Sequence, residues 1–326
     1  MALILSKKYQ SATLFYSNRF LRLYPTYALV LLGTMIWFLI AWAYTNHRPP
    51  PFWTVEANAQ MPIWQWLALQ FSNLTMVGQD LPSLFHWKSG EGFLFLHGNA
   101  DVTPGGAEWG GSYTWIGQAW TIGTEIWFYL LAPFVVRRGV AVQITLASAS
   151  CALMILMERF SPLTYFFFPA NFWFFISGSL LYSFYQSRYF SVPTWAGPPA
   201  LAYVIVAGCS VGVVSNPVVH NILLILIALS IPLLFNTFAN RQWDSAIGNL
   251  SYPVYLVHAL IISVLVKSLR IHSDLLIVIV SVSAAMLIVH FVENPMDKYR
   301  QWRAKCRTSK TRPPEFTPDF QLQTPH

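Results

Sequence analysis

Two arginines, Arg19 and Arg22, stand three residues apart just ahead of a long apolar run. Residues at i and i+3 of a helix lie on one face, so the two guanidinium groups are predicted to share a surface. Arginine binds phosphate through a planar fork of N–H donors, which favours a lipid headgroup or a phosphate-bearing cosubstrate as the ligand. The alternative is that the pair only marks the cytoplasmic end of a membrane span, as basic clusters commonly do.

Glu125 and His258 are further candidates, because each lies inside an apolar run. An ionisable group at membrane depth costs on the order of 3 kcal/mol, so it is expected to face the protein interior and to be functional. Tyr255 shares a helix face with His258. A structural hydrogen bond between helices is the alternative for both candidates. The chain has no His pair at i, i+4, so no metal site is predicted. It also has no Gly-rich phosphate loop.

The composition is that of a polytopic membrane protein. Of the 326 residues, 55% are hydrophobic and only 10% are charged, and the mean hydropathy is +0.46. A soluble domain usually carries about 25% charged residues. The net charge of +7 comes from residues in short flanks between apolar runs, so it does not predict nucleic-acid binding.

Eight apolar runs approach the ~20 residues that a helix needs to cross the hydrocarbon. They are residues 26–44, 118–136, 139–157, 163–185, 196–214, 219–238, 251–269 and 274–291. The shorter segment 61–76 is predicted to be a helix at the membrane interface, where its tryptophans are favoured. The predicted fold class is therefore an all-α integral membrane protein.

Charge predicts the orientation of these spans. With both ends cytoplasmic, fifteen of the 20 lysines and arginines lie on the inner side. The long connection 45–117 is then extracytoplasmic. Its aromatic residues suit either a sugar-binding platform or an interfacial belt; they include Trp87, Trp109, Tyr113 and Trp115. The tail 308–326 is predicted to be disordered, because it is rich in proline and poor in apolar residues.

Four blocks of the sequence stand out: Arg19-Phe-Leu-Arg22-Leu-Tyr-Pro25, Trp120-Thr-Ile-Gly-Thr-Glu125-Ile-Trp-Phe-Tyr129, Gly248-Asn-Leu-Ser251-Tyr252-Pro-Val-Tyr255-Leu-Val-His258 and Glu293-Asn-Pro295. They resemble those of the membrane acyltransferase 3 family, whose members modify bacterial surface sugars and related small molecules. Their order matches the family, and the resemblance implies one membrane domain over residues 1–307. Members of the family have ten spans, against the eight identified here. The resemblance therefore implies an N-terminal pair that is missing from this chain, including an Arg and the His proposed as the catalytic base.

The resemblance implies transfer of an acyl group, usually acetyl, from acyl-CoA to a hydroxyl of an exported carbohydrate at the bacterial inner membrane. Acyl-CoA is then a cosubstrate and no cofactor is bound. Arg19 and Arg22 would hold the CoA phosphates, Glu125 would orient a partner in the buried channel, and His258 would supply a second polar contact. The expected partners are acyl-CoA, the carbohydrate acceptor and membrane lipid, with no nucleic acid. Two alternatives stay open: a transporter or channel that uses Glu125 as a proton or cation site, and a non-catalytic remnant.

Overall fold

The computed structural model describes residues 12–45, 61–88, 92–95, 108–158, 165–186, 194–211, 213–214, 217–239 and 241–311. Helices dominate this part of the chain, which confirms the all-α class. In chain order they are α1 Ala12–Thr45, α2 Ile63–Thr75, α3 Trp120–Val135, α4 Val140–Glu158, α5 Phe168–Tyr185, α6 Gly197–Val211, α7 Pro217–Phe238, α8 Gln242–Ile262, α9 Asp274–Ile288 and α10 Asn294–Thr311. Two π-helical segments, Ser263–Ser268 and Val289–Glu293, extend α8 and join α9 to α10.

A helix lies at each of the eight predicted runs, and the apolar surface of the bundle is that of a membrane protein. Within the described residues, four stretches are long and apolar enough to cross a bilayer, and two shorter apolar helices accompany them. The four are Thr13–Tyr44, Val140–Met157, Gln242–Ser268 and Asp274–Arg303. Large apolar side chains such as Leu32, Ile144 and Leu287 are more than half exposed, as expected where lipid covers them. The number of crossings stays a prediction.

The predicted interfacial segment forms α2, Ile63–Thr75. Trp64, Leu67 and Phe71 on its outer side are exposed, whereas Leu69 and Asn73 are buried against the protein. This arrangement suits a helix lying on the membrane, which remains a prediction.

The long connection contains a small antiparallel sheet with the strand order β2-β1-β3. The strands are β1 Phe85–Lys88, β2 Gly92–Phe95 and β3 Glu108–Trp109. In β1, Trp87 packs with Tyr113, Met61 and Leu69 in a separate apolar cluster. The Trp87 side chain is 6% exposed and that of Tyr113 is fully buried, so neither ring is available to a sugar. For these two rings the platform interpretation is wrong, because they form the core of the connection itself.

The main core lies between α1, α3, α5, α8 and α9, and it positions the polar residues described below. Tyr27, Ile122, Ile176 and Leu256 are among its most completely buried large side chains. Of the predicted disordered tail, residues 308–311 lie in α10 and residues 312–326 fall outside the described residues.

Candidate functional site

A groove lies where α1, α8 and the junction of α9 with α10 meet, with a cavity of about 90 Å³. We call it the inner groove, because the predicted orientation places it towards the cytoplasm. Its polar lining comprises Arg22, Thr26, Asn249, Tyr252, Glu293, Asp297 and Arg300. Arg300 is paired with Asp297 at 2.6 Å, and Glu293 accepts a hydrogen bond from Thr26 at 3.1 Å. Both carboxylates therefore have partners, and Arg22 adds a further positive charge to the groove.

The structure gives the two candidate arginines different surroundings. Arg22 is exposed and lines the inner groove. Arg19 is only 8% exposed, and its guanidinium lies over the rings of Phe15 and Tyr129 at 5.6 and 5.3 Å. Cation–π contacts of this kind stabilise a buried guanidinium. The predicted common surface is therefore divided, with one arginine facing the groove and the other facing the core.

Glu125 lies on α3 and accepts a hydrogen bond from the hydroxyl of Tyr129, one turn further along the same helix. Arg19 lies over the ring of the same tyrosine, so the carboxylate and the buried cation both contact Tyr129. Tyr252 donates to the carbonyl of Leu23 at 2.8 Å, and its side chain lies near the carboxylates of Glu125 and Glu293. Tyr252 lines the inner groove, so the Glu125 carboxylate lies near that groove.

A second set of polar groups joins the start of α3 to the middle of α8. It comprises Gln118, Thr121, Tyr255 and His258. We call it the outer network, because the predicted orientation places it towards the outside. Thr121 Oγ1 donates to the Tyr255 hydroxyl at 2.8 Å, and that hydroxyl donates to the Gln118 carbonyl at 2.6 Å. Gln118 Nε2 donates to the carbonyl of Leu256 at 2.8 Å. His258 Nδ1 lies 2.7 Å from the carbonyl oxygen of Tyr255.

The inner groove and the outer network are close together along α8. Tyr252 lines the groove, and His258 follows it six residues later, an axial rise of about 9 Å. Thr121 and Glu125 are one turn apart on α3 and share a face. Arg22, Glu125 and His258 thus lie on three helices, α1, α3 and α8, that hydrogen bonds of Tyr252 and Thr121 link to one another. We call the series of polar groups from the inner groove through Glu125 to the outer network the polar path.

The long connection is held against the bundle by buried hydrogen bonds. Gln79 Nε2 donates to the Tyr27 hydroxyl and to Asn73 Oδ1, both at 3.1 Å. The Tyr27 hydroxyl donates in turn to the Asn73 carbonyl at 2.6 Å. All three side chains are at most 1% exposed. A buried network of this kind fixes the connection against α1.

The next residue, Asp80, is buried on the far face of α3 from Glu125. Its Oδ1 accepts from Trp127 Nε1 at 3.1 Å, and its backbone lies directly against Gly123. Burial raises the pKa of Asp80 from its usual value of 3.8 to about 6. A carboxyl group with a raised pKa stabilises the fold when protonated, and this contribution is lost as pH rises from about 4 through 6.

This shift of the Asp80 pKa predicts that Asp80→Asn is more stable than the wild type, by an amount that depends on pH. The amide keeps an oxygen acceptor for Trp127 but cannot ionise, so the variant should be more stable than the wild type at pH 7.5, by about 2 kcal/mol. The difference should shrink as the pH falls from 6 towards 4. Thermal unfolding of the purified chain in detergent between pH 4.5 and 7.5 measures this difference, with Asp244→Asn at an exposed carboxylate as the control. A constant difference across that range would contradict the assignment.

Comparison with known proteins identifies the family of this chain. A family model described as an acyltransferase domain, that of the acyltransferase 3 family, matches residues 1–292. The chain belongs to this family of membrane acyltransferases. No curated protein and no solved structure matches the chain.

Sequence reasoning did not identify Tyr129, Tyr252 or Asp80 as parts of this arrangement. The first two stand in the quoted blocks, and the i, i+4 spacing of Glu125 and Tyr129 was the available signal for their hydrogen bond. For Asp80 the sequence offers no comparable signal, because its partners Gly123 and Trp127 are more than forty residues away.

Proposed function

We propose that this chain is a membrane O-acyltransferase that moves an acyl group, most simply acetyl, from acyl-CoA to a hydroxyl of an exported carbohydrate. The proposal places it in the bacterial inner membrane with both ends cytoplasmic. Membership of the acyltransferase 3 family supports the reaction class. The observation that carries the proposal is the polar path from the inner groove through Glu125 to the outer network.

The inner groove is the proposed donor end. Arg22 offers a forked cation to a CoA phosphate, and Arg300 supplies a second guanidinium on the opposite wall. Pro25 and Pro253 lack an N–H, so the usual helical hydrogen bond to the carbonyls four residues earlier, at Leu21 and Asn249, is not made. Both of these residues line the groove. The proposal is that their carbonyls accept hydrogen bonds from the amide groups of the CoA arm.

The Glu125 carboxylate is the proposed electrostatic centre of the path. A hydroxyl is a weak nucleophile at its own pKa, so its attack on a thioester needs a positioned base and a preorganised field. The Tyr129 hydroxyl bonds to Glu125, and the Arg19 cation lies over the ring of the same tyrosine. The proposed role of Arg19 is therefore to position and balance this carboxylate, while Arg22 contacts the donor.

We expect Arg22→Ala to weaken acetyl-CoA binding about tenfold, because a charge-assisted phosphate contact is worth about 1.4 kcal/mol or more. Binding of radiolabelled acetyl-CoA to the chain in inside-out membrane vesicles measures the effect. Arg138→Ala is the matched control, since Arg138 is an exposed arginine outside the groove.

Right-side-out vesicles test the proposed orientation in the same assay, because acetyl-CoA added outside should then fail to bind. Equal binding by the Arg22 and Arg138 variants would contradict the donor site. Proton flux through wild-type vesicles without any acyl transfer would favour a transporter instead.

A further inference from the structure

A crevice of about 380 Å³ lies between α3, α5 and α7, and no residue of the polar path lines it. We call it the intramembrane crevice. Its walls carry Phe128 from α3, Phe174 and Phe175 from α5, and Ile231 and Phe235 from α7. Phe128 is only 3% exposed, whereas Phe174 and Phe235 are 49% and 42% exposed. The crevice therefore extends from the exposed apolar surface of the bundle inward to α3.

Two residues without long side chains keep this crevice open. Gly178 on α5 is exposed, and no neighbouring atom lies within 4 Å of its Cβ position. Small residues in membrane helices usually serve close helix contacts, but Gly178 makes no such contact on this side. Pro232 lines the crevice from α7, and a proline inside a helix removes a backbone hydrogen bond and commonly bends the helix.

Ser179 places a hydroxyl without a partner at the crevice. Its side chain is 5% exposed, and its Oγ makes no hydrogen bond within the described part of the chain. Serines in other apolar helices donate to the carbonyl four residues earlier, as Ser210 and Ser230 do at 2.7 and 2.8 Å. A hydroxyl buried without a partner is costly, so Ser179 indicates an acceptor from outside the chain. That acceptor would lie in the crevice, because Ser179 lines it.

Tyr182 adds a second hydroxyl on the same face of α5, three residues after Ser179. Its oxygen accepts a hydrogen bond from Gln186 Nε2 at 2.6 Å, and its own proton can still be donated. Phe175 precedes Tyr182 by seven residues, an axial distance of about 10 Å. The crevice thus has an aromatic end and a hydroxyl-bearing end. In the proposed orientation α5 runs towards the cytoplasm, so the hydroxyl end is the cytoplasmic one.

The lining determines which kind of molecule fits. None of the described residues that line the crevice is charged, so a carboxylate or a CoA phosphate would have no counter-ion there. A cavity of about 150 Å³ holds benzene, so this larger space admits a lipid chain. An α-helix, about 10 Å across, is too wide for it. A glycerophospholipid combines an apolar chain with a neutral ester carbonyl, and the bilayer supplies it at the open side of the crevice.

We propose that the intramembrane crevice binds one acyl chain of a glycerophospholipid from the cytoplasmic leaflet, whose ester carbonyl accepts hydrogen bonds from the hydroxyls of Ser179 and Tyr182. The leaflet follows from the proposed orientation, whereas the site itself does not depend on acyl transfer. The chain would pack on Phe128, whose ring stacks on Phe175 at 4.5 Å and lies 6.4 Å from that of Tyr129. The lipid is therefore a structural ligand that supports α3.

The test measures where lipid chains contact the protein. The full chain is placed in lipid nanodiscs that contain a small fraction of phosphatidylethanolamine with a photoactivatable diazirine midway along one acyl chain. Crosslinked peptides are then identified by mass spectrometry. We expect crosslinks at the crevice residues of α5 and α7 to exceed those on the exposed face of α9, where Val278 and Leu287 meet bulk lipid.

Gly178→Leu fills the crevice from its wall. The ratio of crevice crosslinks to α9 crosslinks should fall about tenfold, because a side chain and a lipid chain cannot share one volume at native packing density. Gly208→Leu is the matched control, since Gly208 is an exposed glycine of α6 with no neighbouring atom within 4 Å of its Cβ position. An unchanged ratio in Gly178→Leu, or uniform labelling of α5, α7 and α9 in the wild type, would mean ordinary surface lipid only and would overturn the proposal.

Ser179→Ala keeps the space and removes the donor. The readout is the fraction of chains that keep a phospholipid through purification in mild detergent, measured by phosphate analysis of the extracted lipid. This fraction should fall about two- to tenfold, the effect of one neutral hydrogen bond. Ser183→Ala is the control and should match the wild type, because Ser183 donates to the Ser179 carbonyl and does not line the crevice.

Equal retention by Ser179→Ala and the wild type, or retention of a free fatty acid in place of phospholipid, would overturn the assignment of the ester carbonyl. Neither the crosslinks nor the retained lipid depends on acyl transfer. A negative result in both would therefore leave the proposed function untouched.

Discussion

Replacement of Glu125 by Gln is expected to lower acyl transfer by about 100-fold or more, since a preorganised charge in a low-dielectric site commonly contributes that much. Glutamine has nearly the same shape and can still accept the hydrogen bond from Tyr129, so the local packing should persist. Only the negative charge between the inner groove and the outer network is lost. The measurement is the rate of acetyl transfer per folded chain, with folding judged by gel filtration and acetyl-CoA binding.

The arrangement around Arg19 supplies an internal control for this prediction. Arg19 is buried against the ring of Tyr129, which bonds to Glu125, so removal of either charge leaves the other less well compensated. The losses of transfer rate in Arg19→Met and Glu125→Gln should therefore be non-additive. The double variant should lose less activity than the product of the two single fold-losses predicts. Near-normal turnover in Glu125→Gln would show that the carboxylate has a structural role.

The sequence predicted the helices that carry the site, because long apolar runs admit few alternatives in a membrane protein. Glu125 and His258 lie on α3 and α8 as the runs implied. The family blocks added the expectation that the helices bearing Arg19, Glu125 and His258 act together. The structure joins them through Tyr129, Tyr252 and Tyr255, which belong to the same blocks.

The division between Arg19 and Arg22 could not be predicted from their spacing. Two residues at i and i+3 are about 60° apart around a helix, so a neighbouring helix can cover one and leave the other open. Here the ring of Tyr129 on α3 covers Arg19. Composition was likewise unable to separate a sugar-binding platform from a core in the long connection, because tryptophan and tyrosine serve in both. Burial of Trp87 and Tyr113 assigns those two rings to the core.

The second large effect is expected at Gly123, on the face of α3 opposite Glu125. A Cβ there would lie 2.8 Å from the backbone nitrogen and from Oδ1 of Asp80, and 3.0 Å from the backbone nitrogen of Gln79. Two of these atoms are backbone, and Gln79 is held by its bonds to Tyr27 and Asn73. The connection therefore cannot move aside without breaking a buried network. Gly123→Ala should cost about 1–3 kcal/mol of stability, the usual range for overpacking.

Gly178→Ala is the matched control, since Gly178 also lies in an apolar helix and no atom lies within 4 Å of its Cβ position. That variant should be neutral or gain about 0.5–1 kcal/mol, because alanine is the better helix former. Thermal unfolding of the two variants in the same detergent measures the difference. Gly123→Ala should also reduce acetyl transfer, because a shift of α3 displaces Thr121 and Glu125 from their partners on α8 and α1. Equal unfolding midpoints for the two variants would mean that the connection does not pack tightly against α3. Asp80 would then not contribute to the position of α3.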